Sequence, residues 1–128
     1  MANELVLIIE DNEKNRKLVR DVLQFKGYQV LESETAEEGI RLAREKNPAL
    51  VLMDFQLPGM NGIEAFQALR ADAATSSIPV IAITASAMTE DRQKIIGAGF
   101  DDLLTKPINV KEFIEAVAQI LKKSGSPT

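Results

Sequence analysis

The chain has 128 residues, which fits a single domain, and it carries a net charge of −4 with neither cysteine nor histidine. This composition excludes disulfides, thiolate or His-ligated zinc sites and a histidine general base, and the acidic balance argues against binding to nucleic acid. The apolar runs are far shorter than the ~20 residues of a membrane span and no signal peptide opens the sequence, so we expect a cytoplasmic protein that does not enter a membrane.

Short runs of leucine and β-branched residues alternate five times with amphipathic segments typical of helices. The predicted strands cover about residues 4–9, 28–32, 49–53, 78–83 and 101–105. The predicted helices cover about residues 13–26, 35–46 and 89–98, with two more beginning near residues 61 and 109. Five such β/α units with short connections predict a doubly wound α/β domain, in which helices cover both faces of a parallel sheet.

Local signals mark the ends of several predicted helices. Three helices open on Thr or Asn with a glutamate three residues later, the pattern of an N-terminal cap: Thr35 with Glu38, Asn61 with Glu64, and Asn109 with Glu112. Gly27 is expected to end the first helix, because glycine is common just beyond a helix C-terminus. The last residues are small and polar, so we expect one domain over residues 1–122 and a flexible tail over residues 123–128.

Four charged side chains stand directly after predicted strands. Glu10 and Asp11 follow the first strand, Asp54 the third and Lys106 the fifth. Ligands of open parallel sheets bind beyond the carboxyl ends of the strands, so we expect three carboxylates and one ammonium to meet at one edge. Carboxylates that close repel each other unless a cation lies among them, and proteins often hold Mg²⁺ with one or two carboxylates and a phosphate. The spacing therefore predicts a site for Mg²⁺ and a phosphoryl group.

The order of these residues resembles that of response-regulator receiver domains of two-component signalling, over about residues 4–122. Four blocks carry the resemblance: Glu10-Asp11, the run from Met53-Asp54 to Asn61-Gly62, Thr84-Ala85 and Lys106-Pro107. It implies a flavodoxin-like (βα)5 fold, a three-layer sandwich with the parallel strand order 2-1-3-4-5. The Glu-Asp-Asn opening and the lack of an output domain are similar to the small regulators that act alone through protein contact.

On the metal side, the resemblance implies that Asp54 is the phospho-acceptor. A carboxylate is able to act as the nucleophile and form an aspartyl phosphate, so the chemistry of the residue agrees. Glu10, Asp11 and Asp54, together with the backbone carbonyl of Gln56, would be the Mg²⁺ ligands.

On the phosphate side, the resemblance implies that Lys106 supplies an ammonium and that Thr84 donates its hydroxyl to a phosphate oxygen. Pro107 would follow a cis peptide bond, which only X–Pro sequences form readily and which would set the direction of Lys106. One position departs from the family, which usually has Tyr or Phe three residues before the lysine. Leu103 stands there, so we expect no aromatic switch.

The resemblance also implies the partners of the chain. A histidine kinase or histidine phosphotransfer protein would donate the phosphoryl group, and a downstream protein target would receive the signal. We expect a monomer or weak dimer that binds neither DNA nor membranes and is not a turnover enzyme. The basic residues of the first helix are expected to be a solvated face or a docking rim for the kinase: Lys14, Arg16, Lys17 and Arg20.

Three other functions fit parts of the pattern. A flavodoxin-like cofactor protein shares the strand plan, but Glu10 and Asp11 would repel a cofactor phosphate in its first loop. A Mg²⁺-dependent phosphatase would need a second acid two residues after Asp54, where Gln56 stands. A receiver-shaped interaction module that is never phosphorylated is supported by Leu103 and opposed by the intact acidic and basic residues.

Overall fold

The computed structural model describes residues 4–55, 62–85 and 89–125. In this part of the chain five strands alternate with five helices, as predicted. The strands are β1 (Leu5–Ile9), β2 (Gln29–Ser33), β3 (Leu50–Asp54), β4 (Val80–Thr84) and β5 (Asp102–Thr105). The helices are α1 (Glu13–Phe25), α2 (Ala36–Lys46), α3 (Gly62–Ala71), α4 (Thr89–Ala98) and α5 (Val110–Gly125).

All strand pairs are parallel and the sheet order is β2-β1-β3-β4-β5, which confirms the predicted order. Side chains alternate across β1, so Leu7 and Ile9 pack on one face of the sheet while Val6 and Ile8 pack on the other. The first face carries buried residues of α2, α3 and α4, and the second carries those of α1 and α5. Burial on both faces explains why the central strands are apolar at successive positions. No helix among the described residues is long and apolar enough to cross a membrane.

The helix caps follow the sequence signals. Thr35 Oγ1 accepts the backbone N–H of Glu38 at 3.2 Å, and Asn109 Oδ1 accepts that of Glu112 at 3.0 Å. The predicted cap at Asn61 lies outside the described residues. Helix α5 continues to Gly125, three residues into the predicted tail, and residues 126–128 are not described.

Strand β4 begins two residues later than predicted. The apolar run predicts a strand from Ile78, and the side chain is indeed 95% buried, but its N–H donates to the carbonyl of Thr75 in a turn. Its own carbonyl accepts Arg70 Nη1 at 2.7 Å. The apolar side chain therefore reaches the core from the loop before the strand, with its backbone bonded outside the sheet.

Gly62 is the first residue of α3 and contacts Phe55, the residue after the predicted acceptor Asp54. Its N–H donates to the Phe55 carbonyl at 3.1 Å, and an added Cβ would lie 2.6 Å from Phe55 Cδ1 and 3.0 Å from Phe55 Cα. Gly62→Ala should therefore lower the free energy of unfolding by about 1–3 kcal/mol, the usual cost of overpacking. Urea unfolding measures this change. Gly97→Ala is the control, since a Cβ there meets nothing within 4 Å, and equal losses in both variants would contradict the steric explanation.

Candidate functional site

Three carboxylates meet at the carboxyl end of the sheet. Glu10 and Asp11 follow β1 and Asp54 ends β3, which is paired with β1 through Ile9 and Met53. Each residue offers an oxygen, and these oxygens lie within 4.8 Å of one another. Glu10 and Asp54 are each 3% exposed, whereas Asp11 is exposed to solvent. The site is therefore a mostly buried acidic cluster with one open side.

Lys106 partly neutralises this cluster. Its Nζ lies 3.1 Å from Asp54 Oδ2 and 3.4 Å from Glu10 Oε1. Burial on its own lowers the pKa of Lys106, but the hydrogen bond and charge of Asp54, with those of Glu10, outweigh it and raise that pKa above its ordinary value. The lysine is therefore a fixed positive charge at neutral pH. The peptide bond between Lys106 and Pro107 is cis, as predicted from the resemblance.

The Glu10 carboxyl group has a raised pKa. Burial raises its pKa, and the hydrogen bond and charge of Asp54 raise it further, from 4.5 to about 7. The backbone N–H of Asn12 donates to Glu10 Oε2 at 3.1 Å and works against this rise, as does the charge of Lys106. The Glu10 carboxyl group is therefore partly protonated at neutral pH, and a bound cation would favour its ionised form.

The turn that carries the acid pair is tied to the neighbouring strand. The Glu10 N–H donates to the Ser33 carbonyl of β2 at 2.9 Å, and the Glu10 carbonyl accepts Arg16 Nη1 at 3.0 Å. Asn12 caps α1 by accepting the Asn15 N–H at 3.0 Å. Arg16 was expected on a solvated face or docking rim, but its side chain is only 14% exposed and binds this turn.

The acceptor end of β3 is joined to β4. The Phe55 N–H donates to the Ile83 carbonyl at 2.8 Å, and Thr84 is 1% exposed beside it at the end of β4. The Lys106 N–H donates in turn to the Thr84 carbonyl at 2.8 Å. The backbone therefore brings together Asp54, Thr84 and Lys106, the three residues expected around a phosphoryl group.

Phe55, the residue after the predicted acceptor, packs against an aromatic and aliphatic cluster. The Phe55 ring meets Phe100 edge to face at a centroid distance of 6.3 Å, and Phe100 stacks on Phe66 at 4.2 Å. Leu103 is 8% exposed and belongs to the same apolar cluster, so it already points into the core. Of the predicted site residues, Gln56 lies outside the described residues.

The donor set of the acidic cluster fits a hard divalent cation. All three groups are carboxylates, which suit Mg²⁺ better than metals that prefer imidazole or thiolate. Burial of Glu10 and Asp54 concentrates negative charge, and exposed Asp11 leaves an approach from solvent. The residues present could therefore hold Mg²⁺ next to the Lys106 ammonium.

Comparison with known proteins gives the family. A family model described as the response regulator receiver domain matches residues 6–118. The chain belongs to this family. Receiver domains take part in two-component signalling, so this chain is a two-component signalling domain.

Individual relatives agree with the family. The polar-differentiation response regulator DivK of Brucella ovis is 43% identical over 116 residues, which cover 91% of this receiver domain and 94% of that protein. The receiver domain of the sensor histidine kinase PA1611 from Pseudomonas aeruginosa PAO1 is 30% identical, with a TM-score of 0.85, covering 98% of this chain and 100% of the other. That crystal structure has a magnesium ion coordinated in the active site cleft. The chemotaxis response regulator CheY4 of Vibrio cholerae, 24% identical, has the same fold, with a TM-score of 0.87 over 94% of this chain and 100% of the other.

Proposed function

We propose that this receiver domain accepts a phosphoryl group on Asp54 in a Mg²⁺-dependent reaction. The observation that carries the proposal is the buried Asp54 carboxylate, held 3.1 Å from the Lys106 ammonium and grouped with Glu10 and Asp11. The donor is a phosphohistidine of a histidine kinase or a histidine phosphotransfer protein. The signal then passes to a downstream protein through contact.

Phosphoryl transfer to Asp54 requires mainly that the reacting groups are positioned and that their negative charge is neutralised. An Asp54 oxygen attacks phosphorus, the new P–O bond forms as the donor P–N bond breaks, and the electron pair leaves with the imidazole nitrogen. Phosphoryl transfer depends mainly on positioning and on neutralising charge on the phosphoryl oxygens. Lys106 supplies a positive charge that pairs with Asp54 before transfer and with a phosphoryl oxygen afterwards.

The remaining residues divide between the metal and the phosphate. Glu10 and Asp11, with Asp54 and the carbonyl of Gln56, are the proposed ligands of Mg²⁺, which when bound would lower the charge repulsion between acceptor and donor. Thr84, buried at the end of β4, offers its hydroxyl to the phosphoryl group. These residues assist gain and hydrolysis of the phosphate on the domain itself, and the chain is not a turnover enzyme.

We further propose that the receiver domain is monomeric or a weak dimer and spans residues 1–122. The family match over residues 6–118 supports this extent. Helix α5 continues to Gly125, and we assign residues 123–128 no role in the phosphoryl site.

Incubation with Mg²⁺ and a small phosphodonor tests the proposed function. We expect one phosphoryl group per chain, located on Asp54 by mass spectrometry, and no labelling when the divalent cation is chelated. Asp11→Ala should need more Mg²⁺ for half-maximal labelling, because one oxygen ligand is lost while the acceptor and Lys106 remain. Glu13→Ala is the control, since it removes an acidic residue from the first turn of α1, outside the carboxylate cluster.

A folded wild-type chain that stays unlabelled would contradict the proposal. That result would support the alternative of an interaction module that is never phosphorylated. Identical Mg²⁺ requirements in wild type and Asp11→Ala would leave Asp54 as acceptor but remove Asp11 from the metal site.

A further inference from the structure

Arg16 joins the acidic turn after β1 to the end of β2. Its Nη1 donates to the Glu10 carbonyl at 3.0 Å, its Nε lies 3.2 Å from Glu32 Oε1, and its Nη2 lies 3.4 Å from Glu34 Oε1. A guanidinium has its donors fixed in one plane, so three partners in different directions hold it in one orientation. At 14% exposure, the Arg16 side chain is mostly shielded from solvent and links these three partners.

We propose that Arg16 is a positioning residue for the Mg²⁺ site. The carbonyl that it holds belongs to the peptide bond between Glu10 and Asp11, so fixing this carbonyl fixes the plane of that peptide. The plane sets the direction in which the exposed Asp11 carboxylate leaves the backbone. The inference rests on the proposed function, since it concerns the residues that would hold the metal.

The Glu10 side chain depends on the same turn. Its Oε2 accepts the Asn12 N–H at 3.1 Å, and Asn12 lies on the far side of Asp11. The Arg16 N–H donates to the Asn12 carbonyl at 2.9 Å, as the first bond of α1. Arg16 therefore holds both ends of the turn, one through its side chain and the other through its backbone.

Charge alone predicts the opposite effect of removing Arg16. A cation near a divalent metal repels it, so loss of the guanidinium should strengthen Mg²⁺ binding if electrostatics were its main contribution. Loss of positioning should weaken binding instead. The direction of the change therefore distinguishes the two roles.

Arg20 provides a matched control. It lies one turn further along α1 and its Nη1 is 3.1 Å from Glu32 Oε1, so it shares a partner with Arg16. Its other contact is with Asp21, at 3.5 Å. Arg20→Met removes the same charge from the same cluster and leaves the bond from Arg16 to the Glu10 carbonyl in place.

The test is a Mg²⁺ titration of the full chain, followed by calorimetry and by amide NMR shifts of Asp11 and Asn12. Wild type is compared with Arg16→Met, Arg16→Lys and Arg20→Met, well below the melting temperature of each protein. Loss of an outer partner of a metal ligand typically weakens metal binding by 10–100-fold, so we expect about ten-fold weaker binding in Arg16→Met. The Mg²⁺ affinity of Arg16→Lys should lie between those of wild type and Arg16→Met. Arg20→Met should bind Mg²⁺ as tightly as wild type or more tightly.

A measurement on the metal-free protein complements the titration. Hydrogen exchange of the Asn12 amide should be faster in Arg16→Met than in Arg20→Met, because the turn that holds this N–H against Glu10 is loosened. Unchanged exchange together with unchanged Mg²⁺ affinity would overturn the positioning role.

The outcomes separate this inference from the proposed function. Wild type that binds Mg²⁺, with Arg16→Met binding at least as tightly, overturns the role of Arg16 and leaves the metal site standing. Wild type that binds no Mg²⁺ overturns the metal site, and the role of Arg16 with it. If Arg16→Met does not fold, Arg16→Lys decides, because several-fold weaker binding supports positioning and wild-type affinity contradicts it.

Discussion

Replacing Asp54 with asparagine should abolish formation of the acid-stable, base-labile aspartyl phosphate. The amide has nearly the shape of the carboxylate, so the fold should remain, but it lacks the charged oxygen that attacks phosphorus. The expected change is a complete loss of labelling on this residue, measured by intact-mass and peptide mass spectrometry after exposure to a small phosphodonor and Mg²⁺. Circular dichroism checks that the variant is folded.

Asp21→Asn is the matched control for this variant. Asp21 is an exposed aspartate of α1 that pairs with Lys17 at 2.9 Å and Arg20 at 3.5 Å, so the substitution removes the same charge outside the carboxylate cluster. We expect wild-type labelling in that variant. Labelling of Asp54→Asn at wild-type stoichiometry would show that another residue takes the phosphoryl group.

Glu10 should make the metal-free protein less stable as the pH rises from about 4.5 to about 7. Its pKa is about 7 in the folded protein and 4.5 in the reference state, so the folded protein binds more protons over this interval. The stabilisation is fully present below pH 4.5 and is lost as the pH rises through 7. At about 1.4 kcal/mol for each pKa unit, the loss is on the order of 3 kcal/mol.

The measurement is urea unfolding as a function of pH, in wild type and in Glu10→Gln, with metal removed. The glutamine has no titrating proton, so the difference between the two curves reports Glu10 together with its interaction with Asp54, and removes the contribution of carboxyl groups outside the cluster. Parallel curves would show that the pKa of Glu10 is not raised. Adding Mg²⁺ at pH 7 or above should restore stability in wild type, because a ligand that binds only the folded state stabilises it by mass action.

Most of the fold could be predicted because its signals are local. The strands are apolar at successive positions since helices cover both faces, and Thr35 and Asn109 mark helix starts through hydrogen bonds to nearby amides. The convergence of Glu10, Asp54 and Lys106 was also predictable, because the carboxyl ends of parallel strands meet at one edge. Predicting that these side chains meet requires only the order and direction of the strands.

The missed features depend on contacts between distant parts of the chain. Ile78 has the pattern of a strand residue, but Arg70 of α3 takes its carbonyl, and nothing in the local sequence predicts that bond. Arg16 has basic neighbours typical of a solvated surface, and its low exposure follows from contacts with the Glu10 carbonyl, with Glu32 of β2 and with Glu34 just after β2. The environments of Ile78 and Arg16 can be predicted only when the positions of these distant partners are known.

The rings behind Asp54 have a mechanical consequence. Phe55 touches Phe100 and Phe100 stacks on Phe66, so the residue after the acceptor rests on a continuous row of rings that ends in α3. Close-packed interiors are hard to compress, and pushing one ring drives the next into the core. The backbone of Asp54 is therefore stiff on this side, and a bulky group added to its carboxylate gains no space there. We expect a group added to the carboxylate to be accommodated by movement of the Lys106 side chain, which lies 3.1 Å from Asp54 Oδ2, rather than by movement of the rings.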